Sequence, residues 1–171
     1  MNEFDYSPIR ENFLEQCHKI NEENVPEVGS RSFDDFNELV DKSDFNLCVA
    51  KDNSPLGYII CFQNNKNTNE YMDQIYHKNY REIRKRVDSF LYVDRIVIDS
   101  KYRNKKLASS LYYKAIDFAK KNSLANLAAE INLLPRINTP SFNFHKKFEF
   151  VEIDTIKYAD DYKVSLQKMI I

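Results

Sequence analysis

The chain has 171 residues, with 25 basic and 26 acidic side chains, 43% hydrophobic residues and only two glycines. Its length and its 12 Phe and 11 Tyr suffice for one real core and argue for a single domain over 1–171, while a net charge of −1 argues against nucleic-acid binding through bulk charge and against wholesale disorder. Glycine at about 1%, against a typical ~7%, excludes GxGxxG and Walker-type loops, because Gly29 and Gly57 cannot spell either.

The N-terminal MNEFDYSPIRENF is acidic and mixed, unlike a signal peptide, and residues 4–10 read as a short strand. Glu11 to Asn21 places Phe13, Leu14, Cys17 and Ile20 at helical spacing, and Asn24-Val25-Pro26 breaks that helix. Ser32 with Asp35 caps a second short helix whose apolar face is Phe33, Phe36, Leu39 and Val40. Residues 46–51 and 56–63 read as two strands of a hairpin around the turn 52–55. The polar stretch 64–88 carries sparse anchors, Tyr71, Ile75 and Tyr76, has room for helical pieces and is long for a connector. A substrate loop and a solvated excursion fit it equally well. Its basic run, Arg81, Arg84, Lys85 and Arg86, is diluted by Asp73, Glu82 and Asp88 and reads as a solvated face.

Residues 90–98 (FLYVDRIVI) form the strongest strand signal. After the turn 99–102, Arg103 to Asn122 reads as a helix with Leu107, Leu111, Ala115, Phe118 and Ala119 on one stripe. Residues 124–132 read as a strand, Thr139-Pro140 opens a short helix, and two strands, 148–156 and 163–171, close the chain around the turn 158–161. Strands in runs mixed with crossover helices predict an α/β (α+β) fold with a mixed sheet. Cys17, Cys48 and Cys61 form no CxxC pair or disulfide framework, which predicts reduced thiols. No run approaches the ~18 apolar residues of a membrane span, so the expected location is the cytoplasm, away from the membrane.

The junction from strand 90–98 into the next helix has the chemistry to bind phosphate: a helix N-terminus presents unsatisfied N–H groups, and Arg103, Lys105 and Lys106 add charge there. On these local features alone, an ordinary turn with basic surface residues fits better. The segment LYVDRIVIDSKYRNKKLASSLYYKAIDFAKK, however, resembles motif A of the GCN5-related N-acetyltransferase (GNAT) superfamily, R/Q-x-x-G-x-G/A, with Arg103, Lys106 and Ala108 at the motif positions. NTPSFNFHKKFEF resembles motif B through Asn138, Ser141, Phe144, Lys147 and Phe150. There His145 stands at the usual Tyr and Glu149 at the usual Gly. INEENVPEVGS and the AEIN segment are similar to a bacterial subgroup of predicted acetyltransferases, and the likeness spans roughly 18–153.

The resemblance implies a GNAT fold, a central mixed sheet of six to seven strands with helices on both faces. It also implies acetyl-CoA as cosubstrate and no metal. The cosubstrate would lie in a V-shaped opening between strands 90–98 and 124–132. Backbone groups of Ile96, Val97 and Ile98 would hold the pantetheine arm and acetyl carbonyl. Backbone N–H groups of Arg103, Asn104, Lys105, Lys106, Leu107 and Ala108 would cradle the pyrophosphate, and Asn138 would contact the arm. The implied acceptor is a small-molecule amine or a protein amino group. Dimerisation is common among such proteins and nothing in the sequence fixes it.

Acetyl transfer needs an amine to lose a proton and a thiolate to gain one. His145 stands where the family's proton donor usually stands. Asp94 and Glu130 lie inside apolar strands, where a carboxylate is costly unless paired or wet, so either could be a base or orient an ammonium. Asp94 could equally form a salt bridge with basic residues of an adjacent strand, and Glu130 or Asn132 could be a structural hydrogen-bonding group. Glu130 ranks first, because it belongs to the AEIN segment. Lys106 in place of Gly and His145 in place of Tyr also motivate a second reading, a non-catalytic acyl-CoA-binding or sensor protein. A purely structural interaction domain is a third. Ala108 is within the motif's tolerance. Lys106 is the real departure, and a helical backbone there, without positive φ, is the expected solution.

Overall fold

A computed structural model describes residues 3–9 and 11–171. Among these, seven strands form one sheet in the order β1-β2-β3-β4-β5-β7-β6, joined by six helices. The chain divides into two compact units, Met1–Phe62 with Val93–Phe118, and Gln63–Tyr92 with Ala119–Ile171.

In the first unit, β1 is Asp5–Ser7, shorter than expected, and position 10 of the expected strand lies outside the described residues. Helix α1 (Glu11–Glu22) buries Phe13, Leu14, Cys17 and Ile20, the stripe that its spacing predicts. Helix α2 (Phe33–Lys42) starts where Ser32 accepts from the Asp35 N–H. Its face is narrower than expected: Phe36, Leu39 and Val40 are buried, whereas Phe33, in the first turn, stays exposed. Strands β2 (Phe45–Lys51) and β3 (Ser54–Gln63) pair antiparallel. Their turn is two residues long rather than four. Asp52 and Asn53 both take positive φ (49° and 62°), the geometry that matches strand twist in a tight hairpin. Gly57 is needed for packing: a Cβ there would sit 2.5 Å from both the Val97 carbonyl oxygen and Ile98 Cδ1, so its absence lets β3 lie close against β4 (Phe90–Ile98).

Ahead of α5 the chain makes a 3-10 turn, Ser100–Tyr102, capped by Asp99 accepting from the Lys101 N–H. Helix α5 is Leu107–Lys121, so residues 103–106 form a loop rather than its first turn. Leu107, Leu111, Ala115 and Ala119 are buried as the stripe predicts.

In the second unit the polar 64–88 stretch is built, not loose. Helix α3 (Lys66–Gln74) is capped by Asn65 and α4 (Lys78–Arg84) by His77. Tyr71, Met72, Tyr80 and Ile83 are buried, whereas Tyr76, expected as an anchor, is 76% exposed. Hydropathy signals these helices only weakly because each is short and buries just two apolar side chains, Tyr71 and Met72 in one and Tyr80 and Ile83 in the other, among polar residues. The basic run is neutralised locally: Arg81 and Arg84 face Asp73, Lys85 faces Glu82, and Arg86 faces Glu82 and Asp154.

Strand β5 (Asn126–Leu134) runs parallel to β4, paired at Phe90–Tyr92 with Asn126–Ala128. Helix α6 (Thr139–Lys147) begins at the Asn138 cap with Pro140 in its first turn. Strands β6 (Val151–Ala159) and β7 (Tyr162–Ile170) form a hairpin turning at Asp160-Asp161, with β7 between β5 and β6. Helices α5 and α6 end alike. After α6, Glu149 takes φ 60°, its N–H bonds the Lys146 carbonyl and the Phe150 N–H bonds the His145 carbonyl. After α5, Ser123 takes φ 56°, with Ser123 to Lys120 and Leu124 to Ala119 bonds. This is the left-handed helix stop that glycine usually supplies, made here without glycine. Among the described residues no helix is long and apolar enough to cross a membrane.

Candidate functional site

The loop 103–106 precedes the N-terminus of a 15-residue helix. Asn104 and Lys106 both take positive φ, 64° and 62°. The expectation of a helical backbone at Lys106 is therefore overturned. The chain keeps the left-handed conformation that a glycine would reach freely and carries a lysine in it, at a cost of about 1–2 kcal/mol. The Ser110 N–H bonds the Lys106 carbonyl, so α5 draws its first acceptor from this residue. The side chains add positive charge: Arg103, Lys105 and Lys106 are exposed, and the Lys105 ammonium lies 5.2 Å from the Tyr102 ring centroid. Unpaired N–H groups, a helix dipole and three cations fit a pyrophosphate.

Asp94 also lies in the first unit. Its side chain is 2% exposed and pairs with Arg95, Nε to Oδ2 at 2.7 Å. The expectation for Asp94 was a salt bridge to basic residues of an adjacent strand; the pair it forms here is with the next residue of its own strand.

Glu130, in the second unit, sits in a polar cluster. Tyr92 donates its hydroxyl to Glu130 Oε2 at 2.7 Å, and Asn79 Nδ2 donates to Oε1 at 3.0 Å. Asn79 Nδ2 also reaches the Tyr162 hydroxyl at 3.2 Å, and Asn79 Oδ1 accepts from the Tyr158 hydroxyl at 2.9 Å. The two hairpin tyrosines stack with ring centroids 5.1 Å apart, and the Lys78 ammonium lies 5.5 Å from the Tyr158 ring centroid. Burial pushes both tyrosine hydroxyls above their ordinary range. Both stay protonated at neutral pH. The result is a carboxylate oriented by two donors beside a wall of aromatic hydroxyls. Sequence reading found Glu130 but not its partners. Asn79 lay in a stretch read as either a substrate loop or a solvated excursion, Tyr92 in an apolar strand, and Tyr158 and Tyr162 around a turn. The pairing of β5 with β4 and β7, the β6–β7 hairpin and helix α4 bring them together.

His145, also in the second unit, is 3% exposed. Its ring packs against Phe144 and, 4.9 Å away, Phe150. Nδ1 lies 2.8 Å from the Ser141 carbonyl oxygen, which can only accept, so Nδ1 carries a hydrogen. In the neutral ring Nε2 then bears the lone pair. Burial lowers the imidazole pKa, opposed by the Ser141 bond. Asn138 uses its Oδ1 to cap α6 at the Ser141 N–H, 3.2 Å away.

The sequence matches the family model described as the acetyltransferase (GNAT) family over residues 10–150. No curated protein matches it. Among solved structures, Ard1 from Thermoplasma volcanium superposes with a TM-score of 0.77 at 12% identity, covering 99% of this chain and 98% of that one. The ribosomal-protein-S18-alanine N-acetyltransferase from Escherichia coli gives 0.71 at 13%, covering 98% and 94%. Arabidopsis thaliana Naa50, in complex with the bisubstrate analogue CoA-Ac-MVNAL, gives 0.71 at 15%, covering 98% of each. These identities speak for the fold, a mixed α/β fold with a seven-stranded sheet shared with GNAT structures. The family match spans most of the chain, and the protein belongs to the GNAT family of acetyltransferases.

Proposed function

We infer that the chain is an acetyl-CoA-dependent N-acetyltransferase acting as one domain in the cytoplasm, with a small-molecule amine or a protein amino group as acceptor. Acetyl-CoA supplies the acyl thioester. The 103–108 loop binds its pyrophosphate through backbone N–H groups and the charges of Arg103, Lys105 and Lys106. The backbone of Ile96, Val97 and Ile98 holds the pantetheine arm, and the Asn138 amide, whose Oδ1 already caps α6, meets the arm through Nδ2.

Glu130 takes a proton from the acceptor ammonium, directly or through a water. The freed amine attacks the thioester carbon, the carbon–sulfur bond breaks as the amide forms, and the proton that the attacking nitrogen sheds ends on the departing thiolate. His145 returns that proton only as imidazolium, which its burial disfavours. Asp94, already paired with Arg95, contributes by holding Arg95 rather than by taking a proton. The observation that carries the reading is the Glu130 carboxylate, fixed by Tyr92 and Asn79 in a chain of this family. The Arabidopsis neighbour, whose ligand joins CoA to a peptide, supports CoA as donor and an amino group as acceptor.

Isothermal calorimetry with acetyl-CoA, then CoA release against a panel of amines and short peptides, tests this. Saturable binding and turnover abolished in Glu130→Gln are expected. Absence of binding at high micromolar acetyl-CoA overturns the reading. Binding without turnover on any amine favours the sensor alternative, which Lys106 and His145 at motif positions motivate.

A further inference from the structure

The segment 22–31, between α1 and α2, is closed on itself. Glu22 Oε1 accepts from the Arg31 N–H and from Asn21 Nδ2, both at 2.9 Å, and Oε2 accepts from Ser30 Oγ at 2.7 Å. These donors, the Arg31 N–H foremost, hold the Glu22 carboxyl down at about 2. His18 Nε2 donates to the Arg31 carbonyl at 2.8 Å. Beneath the segment lies Arg95, 5% exposed. Besides Asp94, its guanidinium reaches Asn21 Oδ1 at 2.8 Å and the Gly29 carbonyl at 3.3 Å. Tyr58 donates to the same Asn21 oxygen at 2.8 Å.

A second tie runs to the phosphate loop. Buried Asn24 donates from Nδ2 to the Ile20 carbonyl at 2.7 Å, and its Oδ1 accepts from Arg103 Nη2. Arg81, Arg84, Arg86 and Arg95 each face a carboxylate. Among the described residues the partner of Arg103 is instead the neutral amide of Asn24. A guanidinium has five N–H donors in a rigid fork, and this bond uses one nitrogen. The charge of Arg103 is thus uncompensated on an exposed side chain, in the loop whose other features fit an anion.

We propose that Arg103 is a positioning residue that joins the phosphates of bound CoA to the 22–31 segment through Asn24, so that cofactor binding tightens that segment. The proposal rests on the reading of the 103–108 loop as the phosphate site. Such coupling is reciprocal: the factor by which CoA stabilises the closed segment is the factor by which closure of the segment strengthens CoA binding. Segments held by exposed hydrogen bonds open more readily than sheet cores, so amide exchange reads the effect.

The test measures hydrogen exchange of the 22–31 amides in the full chain, free and saturated with CoA, alongside CoA affinity by calorimetry. In the wild type CoA slows exchange at least about fivefold. In Arg103→Ala and Asn24→Ala, brought to saturation at higher CoA, the slowing falls below about twofold. Asn24→Ala also removes the bond to Ile20. Arg103→Ala removes only the tie to Asn24, leaves the segment's own hydrogen bonds in place and keeps the test decisive where Asn24→Ala fails to fold. CoA binding without slowing in the wild type, or with equal slowing in Arg103→Ala, overturns the positioning role and leaves the acetyl-CoA reading standing. No CoA binding by the wild type overturns both.

Discussion

Asn79 and Glu130, 51 residues apart in the chain, meet side chain to side chain at 3.0 Å. Asn79 is 7% exposed and spends both ends of its amide: Nδ2 on Glu130 and Tyr162, Oδ1 on Tyr158. The 64–88 helices therefore do more than cover the sheet. They deliver the amide that fixes the rotamer of the proposed base and the spacing of the hairpin tyrosines.

Asn79→Leu keeps the volume and removes every one of these bonds. The Tyr158 hydroxyl loses its acceptor and Glu130 one of its donors. A loss of about 1–3 kcal/mol in unfolding free energy is expected, because buried polar groups left without partners lose their desolvation cost unrepaid. Asn79→Asp is expected to cost more at neutral pH than Asn79→Leu, since two carboxylates would then face each other at hydrogen-bond distance. Urea denaturation of the two variants reads both statements. A Leu variant as stable as the wild type would show that the cluster does not hold the unit together.

The backbone at Lys106 and Glu149 gives a second prediction. Both positions align with a motif glycine, and both keep positive φ, 62° and 60°. Relief of the left-handed strain is partly offset by the greater freedom of glycine in the unfolded chain. Lys106→Gly and Glu149→Gly should therefore each stabilise the fold by roughly 0.5–1 kcal/mol. A β-branched side chain suits this region worst, so Lys106→Val should destabilise by about 1 kcal/mol or more and weaken CoA binding through the distorted loop. Thermal melts with and without CoA decide the matter. If the Gly and Val variants at 106 melt together, the loop is not conformationally constrained there.

How much of this was legible in the sequence follows from the range of the interactions. Strand β4, the hairpin of β2 and β3, and the Ser32 cap are local, and patterning places them nearly to the residue. The motif positions also mark the 103–108 loop that we propose as the phosphate site. Its conformation was not legible, because a lysine gives no sign that its backbone is left-handed. Lys106 at the motif's glycine position argued for a loop without positive φ, but the chain keeps the geometry and changes the residue. The Glu130 cluster was half legible: a carboxylate in an apolar strand announces a partner, but the partners come from four other elements. Asp94 announced one too, and the partner was its own neighbour, Arg95.

His145 ties burial to pH. Its folded pKa lies below the ordinary 6.5 because burial penalises the imidazolium more than the Ser141 carbonyl stabilises it. The unfolded chain then binds a proton at a higher pH than the folded one. The stability that the neutral ring contributes is fully present above about 6.5 and is lost as the pH falls from there through the lower folded value. The carboxyls held low, Glu22, Glu82 and Asp154, act the same way but in a more acidic window, below their ordinary range near 4. Between pH 7.5 and 5.5 His145 therefore contributes a loss of stability as the pH falls. Urea midpoints measured across that interval should fall with pH in the wild type and fall less in His145→Leu, which keeps the contacts with Phe144 and Phe150 but cannot take up a proton. Parallel slopes for the two proteins would mean that His145 titrates alike in the folded and unfolded chain, and an imidazolium at neutral pH would then be available as the proton donor after all.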